Sequence, residues 1–156
     1  MNQDVCLAIV FGLTTPERAQ QFLAQLKARC WTSWGPSKQE PYPDAARYGP
    51  PGFYHNGGIW GWAAAFEVAA RLQFHQYEDV LWVIQRIWEY DFGNNPYKYY
   101  YFQPTEWFSS ITGENEMVNY KQAKFFATGA GSFLWALFFH PNGLRKYIEK
   151  IQHHPK

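Results

Sequence analysis

One glutamate of the chain stands directly before two large aromatic residues. Glu106 precedes Trp107 and Phe108 in the segment 104–114, and Thr112-Gly113 near its end predicts a turn that closes this loop. Aromatic neighbours that exclude water from a carboxyl group raise its pKa, and a raised pKa suits general acid–base catalysis. Glu106 is therefore a candidate acid–base residue, and a solvated loop glutamate is the alternative interpretation.

A second polar segment, 54–60, reads Tyr-His-Asn-Gly-Gly-Ile-Trp. His55 and Asn56 offer hydrogen bonds, and the two glycines after them allow a tight turn or a close approach to a ligand. Trp60 offers a flat ring for stacking or for the core. The alternative is an elaborate helix cap built on Asn56. No second His, Cys or Asp recurs at ligand spacing, so His55 is a poor candidate for a metal ligand.

A third segment, 126–132, reads Phe-Ala-Thr-Gly-Ala-Gly-Ser and precedes an apolar run. Gly-Ala-Gly before a helix can resemble a phosphate-binding loop, but no strand is predicted before it and no lysine follows the second glycine. The better interpretation is that small residues let helices pack closely, at a helix N-terminus that faces the site.

Helices must position all three segments, because the hydrophobic periodicity is helical through most of the chain. Thr-Thr-Pro-Glu at 14–17 has the threonine cap and early proline of a helix start, and Pro-Asn-Gly at 141–143 ends another helix. Strand signals are weak, with one possible extended piece at 97–102. The fold is predicted to be all-α, with helices near residues 4–12, 15–30, 58–74, 77–92, 124–140 and 143–153.

Two long connectors, at residues 31–57 and 94–124, separate the helices into pairs. Helices linked by short connectors run antiparallel, so both long connectors are expected at the same end of the bundle. Long loops in a compact domain are usually functional, and these are rich in aromatic residues. An aromatic surface there would suit a flat, partly apolar ligand such as a sugar ring. The alternative is that the aromatic side chains only hold the loops in place.

The composition limits the class of protein. The chain has 156 residues, which suits one domain over 1–156, and 47% of them are hydrophobic, which permits a packed core. A net charge of +1 without a basic block argues against a nucleic-acid partner or an anionic membrane surface. No membrane-spanning segment or signal peptide is recognisable, so a cytoplasmic protein is expected. Cys6 and Cys30 are predicted to be reduced thiols in the core.

Taken together, the motifs resemble those of a known enzyme group. Tyr-His-Asn-Gly-Gly-Ile-Trp opening a helix, a glutamate–aromatic–aromatic segment ending in Thr-Gly, and an Ala-Thr-Gly-Ala-Gly helix start follow in that order. In this order they resemble the C-terminal half of the α/α-toroid, or six-hairpin, glycoside hydrolases. That group includes trehalases, neutral invertases, mannosylglycerate-type hydrolases and glycogen-debranching glucosidases. The resemblance covers residues 2–139.

The resemblance implies about half of an α/α toroid of antiparallel helical hairpins, with long loops at one end. It also implies inverting hydrolysis of a glucoside-like or related oligosaccharide by two carboxyl groups about 6.5–9.5 Å apart, without a metal or cofactor. Glu106 stands at the position of the family's general base. By the same resemblance, the substrate-binding residues are Tyr54, His55, Asn56, Gly57, Gly58, Trp60, Trp107 and Lys124.

The chain departs from the family in length. A full toroid needs about twice the six helices predicted here, and no segment matches the family's general acid, which lies upstream. We therefore expect a fragment of a longer enzyme, or a chain that associates with a second copy or with the missing N-terminal half. Two other classes stay open. One is a non-catalytic carbohydrate-binding or helical interaction module, and the other is a toroid terpenoid cyclase that stabilises carbocations with aromatic rings.

Overall fold

The computed structural model describes residues 1–43, 49–89, 107–113 and 127–140. These ranges hold five α-helices and one two-stranded sheet. In chain order the elements are α1 (Val5–Val10), α2 (Pro16–Cys30), β1 (Trp31–Thr32), β2 (Gly35–Pro36), α3 (Gly61–Gln73), α4 (Tyr77–Ile87) and α5 (Ala127–Leu134), which a π-helical segment, Trp135–Phe139, continues. The helix expected at 143–153 and the extended piece at 97–102 lie outside the described residues.

Helix α2 begins at the start signal that the sequence contains. Thr15 is its N-cap, and the threonine side-chain oxygen accepts a hydrogen bond from the backbone N–H of Arg18 at 3.4 Å. Pro16 is the first helical residue. The proline loses no hydrogen bond there, because the first N–H groups of a helix have no partner within it.

Helix α3 lies at the centre of the described molecule and contacts α1, α4, α5 and the π-helical segment. Ten of its 13 residues are buried, and five of those ten are alanines. Small side chains let neighbouring helices approach closely, which explains how one helix can pack against several others. The largest core cluster joins α3 to α4 and α5 through Val68, Leu72, Val80, Val83, Ile87 and Phe133.

The start of α3 differs from the prediction, which placed it near residue 58. Ile59 exchanges two backbone hydrogen bonds with Phe108, at 2.8 and 2.9 Å, and Trp60 is extended with φ −121° and ψ 121°. A residue that gives both its N–H and its C=O to another segment cannot use them within a helix. Helix α3 therefore begins at Gly61, directly after the Tyr-His-Asn-Gly-Gly-Ile-Trp motif.

The prediction of an all-α half toroid is wrong, because the described chain is a mixed structure. Strands β1 and β2 form an antiparallel hairpin. Isolated bridges also join Asn2 to Gln39 and Ile59 to Phe108. The connector 31–57, predicted to be a loop between helix pairs, thus uses backbone hydrogen bonds for strand pairing. The described helices, five in number, do not form a toroid of hairpins.

The two cysteines lie where α1 and α2 pack against α3. Both Cys6 and Cys30 are free and buried, as predicted. Burial raises the pKa of the Cys6 thiol well above its usual value and raises that of Cys30 to about 11. Because the thiolate is the reactive form, both side chains act as small apolar residues of the core.

An apolar cleft of about 260 Å³ opens between α4 and α5. Trp88 and Leu134 on its walls are 58% and 54% exposed. Exposed apolar patches often mark contacts between chains. The expected association with a second copy or with an N-terminal half stays a prediction. In the part of the chain that the structure describes, no helix combines the length and the apolar character needed to cross a membrane.

A buried ion pair within α3 is the most heavily bonded group in the core. The carboxylate of Glu67 and the guanidinium of Arg71 lie one helical turn apart, 2.7 Å from each other, and both side chains are fully buried. The carboxylate also accepts hydrogen bonds from the Gln3 amide at 2.6 Å and the Trp31 indole N–H at 2.8 Å. Glu67 thereby ties the N-terminal segment and β1 to α3.

The guanidinium of Arg71 is engaged just as fully. It donates to the backbone carbonyl of Leu23 in α2 at 3.1 Å and to the carboxylate of Asp79 in α4 at 2.7 Å. Its Cζ lies 4.8 Å from the centre of the Trp31 ring, and that ring stacks on Trp82 with 4.0 Å between centroids. Burying a charge costs several kcal/mol unless it is paired, so all of these partners must be in place together.

The ion pair predicts how variants of α3 unfold. Glu67→Ala removes one of the two carboxylates paired with buried Arg71 and the acceptor of the Gln3 and Trp31 N–H groups, so the free energy of unfolding should fall by about 3–5 kcal/mol. Glu78→Ala, at an exposed position in the first turn of α4, is the matched control and should change it by no more than about 1 kcal/mol. Urea unfolding followed by tryptophan fluorescence measures both. A loss below 1 kcal/mol for Glu67→Ala would contradict this role.

Buried His140 gives stability a pH dependence. His140 directly follows the π-helical segment in the chain, and its Nε2 lies 3.4 Å from the amide nitrogen of Gln73. Burial lowers the pKa of His140 below the ordinary value of 6.5. Below about pH 6.5 the unfolded chain therefore binds more protons than the folded chain at this site. The free energy of unfolding must therefore fall as the pH drops from 6.5 to the pKa of His140 in the folded chain. Below that pKa the contribution of neutral His140 is fully lost.

Urea midpoints between pH 7.5 and pH 5 test this dependence. His140→Gln should flatten the acid side of the profile, because glutamine does not titrate in this range. The control is His75→Asn, at an exposed histidine whose φ of 56° asparagine tolerates, and it should leave that contribution in place. An unchanged slope in His140→Gln would show that another group causes the acid loss.

Candidate functional site

A tight turn carries Tyr54 and His55 at its tip. The N–H of Asn56 donates to the carbonyl of Phe53 at 2.7 Å, and the N–H of Gly58 donates to the carbonyl of Tyr54 at 3.0 Å. Tyr54 has φ +40°, a left-handed conformation that costs a residue with a side chain about 1–3 kcal/mol. Such strain persists only where the surrounding structure enforces it, and it is frequent at functional sites.

Asn56 holds the turn from the inside. Its side chain is fully buried and accepts a hydrogen bond from the backbone N–H of Tyr42. Its amide group donates to the backbone carbonyls of Tyr42 at 3.3 Å and Gly49 at 2.8 Å. The cap residue of α3 is Trp60, without a side-chain hydrogen bond, so the interpretation of Asn56 as a helix cap is wrong. Asn56 instead fixes the shape of the turn.

The two glycines of the motif lie close to other backbone atoms. A Cβ at Gly58 would stand 2.6 Å from the carbonyl oxygen and 2.9 Å from the nitrogen of Tyr54, and 3.1 Å from the Trp107 ring. Gly57 has φ +94°, and a Cβ there would stand 3.2 Å from the carbonyl oxygen of Gln39. Gly58 allows the close passage of the backbone within the turn, and Gly57 allows the turn to approach the connector at Gln39 closely.

Trp60 supports the exposed rings of the turn from beneath. The His55 ring lies parallel to the Trp60 ring, at 8° and 5.1 Å between centroids, and the Tyr54 ring lies 5.2 Å from it. The indole N–H of Trp60 donates to the Tyr54 carbonyl at 3.1 Å. Trp60 is only 4% exposed, whereas Tyr54 is 36% exposed and His55 is also exposed. The surface open to a ligand is therefore formed by Tyr54 and His55.

The segment that begins at Trp107 packs against the same turn. The Trp107 ring meets the rings of Tyr54 and Phe53 edge-on, at 5.9 and 6.1 Å between centroids. Trp107 is 1% exposed and Phe108 is fully buried, paired with Ile59. The structure thus brings two segments together that the sequence singled out separately. Trp107 lies beneath the turn rather than on its open face.

A second turn closes this segment, as the Thr-Gly pair predicted. The hydroxyl oxygen of Ser109 accepts hydrogen bonds from the backbone N–H groups of Ile111 at 3.1 Å and Thr112 at 3.2 Å. Gly113 has φ +70°, and its N–H donates to the Ser109 carbonyl at 3.0 Å. The Trp34 ring lies directly over Gly113, where any Cβ would overlap it.

Two predicted site residues, Glu106 and Lys124, lie outside the described residues. In the described part of the chain, no group of three or more His, Cys, Asp or Glu could hold a metal ion. One cation that the sequence analysis did not single out lies at the site. The ammonium group of Lys38 is 5.9 Å from the centre of the Trp60 ring and 5.3 Å from that of Trp62. A single lysine in the connector 31–57 carries no motif that would have revealed it.

Two glycine-to-alanine variants test how tightly the turn is built. Gly58→Ala must displace the backbone of Tyr54, so we expect it to lower the free energy of unfolding by about 1–3 kcal/mol, the cost of overpacking. Gly131→Ala is the matched control, because a Cβ there meets nothing within 4 Å and alanine favours the helix by about 0.5–1 kcal/mol. Thermal unfolding measures the opposite signs.

Equal and small effects of the two substitutions would show that the turn adapts freely and is not held as described.

The free space at Gly131 also corrects one expectation. Its lack of a side chain is not needed for close helix packing. Ala130, one residue earlier, does line the apolar cleft between α4 and α5.

Comparison of the chain with protein-family models, with curated proteins and with solved structures gave no match. The resemblance to six-hairpin glycoside hydrolases therefore rests on the motifs alone and stays a prediction.

Proposed function

We propose that the chain binds carbohydrate at the turn of Tyr54 and His55 and takes part in inverting glycoside hydrolysis, with Glu106 as the general base. One observation supports it above the others. The exposed Tyr54 ring packs edge-on against Trp107, which directly follows Glu106 in the chain. Ligand sites commonly combine aromatic surfaces with a few directed polar groups, and this turn offers both.

The rigidity of the turn favours binding. Buried Asn56 holds it with three hydrogen bonds, and the two glycines allow its backbone to pass within contact distance of itself. The rings of Tyr54 and His55 also touch each other, at 4.0 Å between centroids. A surface that is already ordered loses little conformational entropy when a ligand binds, so more of the contact energy appears as affinity.

The proposed chemistry requires two carboxyl groups with different tasks. The general base, Glu106, takes a proton from a water molecule as that water attacks the anomeric carbon opposite the leaving group. The general acid gives a proton to the glycosidic oxygen as its bond to the anomeric carbon breaks. The role of Glu106 comes from the resemblance of its motif. The acid is expected from a segment upstream of this chain or from a partner.

A non-catalytic carbohydrate-binding module is the second candidate, and the described carboxylates favour it. Within the described ranges, four of them are ion-paired to cations: Glu40, Glu67, Asp79 and Glu89. The pKa of Glu40 is held below its usual value by hydrogen bonds from the N-terminal amino group and Arg29. Carboxylates paired in this way serve the fold, which leaves the aromatic turn as a surface for binding alone.

Turnover and binding, measured on the same variants, separate the two candidates. Glu106→Gln should lower hydrolysis of aryl glucosides by about 10²–10⁴-fold, as expected for loss of a general base, and should leave oligosaccharide binding unchanged. Glu114→Gln, in the same segment, is the matched control and should leave both unchanged. Tryptophan fluorescence reports binding, and release of the aryl alcohol reports turnover.

The outcomes are distinct. Equal turnover in Glu106→Gln and the unmodified chain would remove Glu106 from the mechanism. Binding without any turnover by the unmodified chain would favour the carbohydrate-binding module. A chain that binds none of a panel of mono- and oligosaccharides would contradict the proposed function in both forms.

A further inference from the structure

We propose that the site selects an anionic sugar, one that carries a carboxylate or a phosphate, and that the ammonium group of Lys38 binds the anionic group. The inference rests on the carbohydrate-binding function proposed above and narrows its ligand class. It depends on where Lys38 lies, on what holds it there, and on the lack of a carboxylate partner for its charge among the described residues.

Lys38 lies on the aromatic side of the site. Its ammonium group is within 6 Å of the ring centres of both Trp60 and Trp62, the range in which a cation is attracted to an indole face. Those two rings meet edge-on at 71°. The Lys38 side chain is partly buried, so its charge is less screened by solvent than that of a fully exposed lysine.

The backbone of Lys38 is fixed on both sides. Its N–H donates to the carbonyl of Gly58 at 2.9 Å, which ties it to the turn. Its carbonyl accepts from the N–H of Gln3 at 2.7 Å, and the Gln3 side chain donates to buried Glu67. The residue is thus bonded both to the ligand-facing turn and to the core. A lysine placed in this way needs little reordering when an anion arrives.

The charge of Lys38 has no carboxylate partner among the described residues. Most other described cations do have one: Lys27, Arg29, Arg71 and Arg86 each form an ion pair. An aromatic face attracts an ammonium group but does not replace strong hydrogen-bond acceptors for its three N–H donors. A carboxylate or phosphate oxygen would supply the missing acceptor through a charge-assisted hydrogen bond.

Lys38 also lies near the ring that supports the exposed residues of the turn. His55 and Lys38 both lie about 5–6 Å from the same Trp60 ring, so both groups border the tryptophan that supports the turn. A hydrogen bond to a charged group contributes enough to change affinity by about tenfold. The alternative is that Lys38 only stabilises the fold by lying over the two indoles. That role predicts no preference between charged and neutral sugars.

Matched sugar pairs test the proposal on the full chain. Methyl glucoside is compared with methyl glucuronide, which differs only in a carboxylate at C6, and glucose is compared with glucose 6-phosphate. Dissociation constants come from tryptophan fluorescence and ligand-observed NMR at 50 mM and 300 mM salt. We expect the anionic member of at least one pair to bind about tenfold more tightly at low salt, with the advantage reduced at high salt.

Two variants assign the preference to this side chain. Lys38→Met keeps an apolar stem over the indoles and should lose the preference for the anionic sugar, so that the two members of each pair bind alike. Lys38→Arg keeps the charge and should retain most of the preference. Circular dichroism and thermal melting of each variant confirm that it is folded. If Lys38→Met does not fold, loss of the preference at high salt and its retention in Lys38→Arg carry the test.

Each outcome has one meaning. A preference for glucuronide identifies a uronic acid as the ligand class, and a preference for glucose 6-phosphate identifies a sugar phosphate. Both support the inference. Equal binding of charged and neutral sugars, or a preference that survives in Lys38→Met, overturns it and leaves the proposed carbohydrate function standing. Failure of every sugar to bind overturns the proposed function itself.

Discussion

The charge pair buried inside α3 is the constraint on which the other contacts depend. Glu67 and Arg71 are removed from water, and each must keep its hydrogen-bonding partners. Those partners come from the N-terminal segment, α2, β1 and α4. Trp31 is one of them, and it begins the hairpin that leads the chain to Lys38. A polar interaction in the core thus helps to set the path of the connector that follows α2.

The aromatic residues of the site divide into a supporting layer and an exposed layer. Trp60 and Trp107 are buried and hold the turn, whereas Tyr54 and His55 lie on its open side. Trp60 and Trp107 therefore fit the interpretation that aromatic rings hold loops in place, and the proposed binding role falls to Tyr54 and His55. The buried rings restrict the turn, and the strained backbone of Tyr54 is stable only because of that restriction.

Structural features that depend on residues adjacent in the chain could be predicted from the sequence. The threonine cap and proline of α2 and the closing turn at Thr112 act through adjacent atoms. The hairpin could not be predicted, because each strand has two residues and no alternating pattern can appear in so few. The prediction of a toroid was wrong because the order of motifs says nothing about backbone pairing between distant segments, such as the pairing of Ile59 with Phe108. The position of Lys38 at the site could not be predicted for the same reason, because only the fold places it beside Trp60.

Hydrogen exchange at the amides of Ile59 and Phe108 is the sharpest test of whether the turn and the segment after Glu106 form one site, because these two N–H groups join them. Both amides are hydrogen-bonded and both residues are buried, so we expect exchange as slow as that of the core of α3. Exchange of the Phe108 amide at the rate of an unstructured peptide would show that the two segments do not pair. It would remove the shared site on which the proposed function rests.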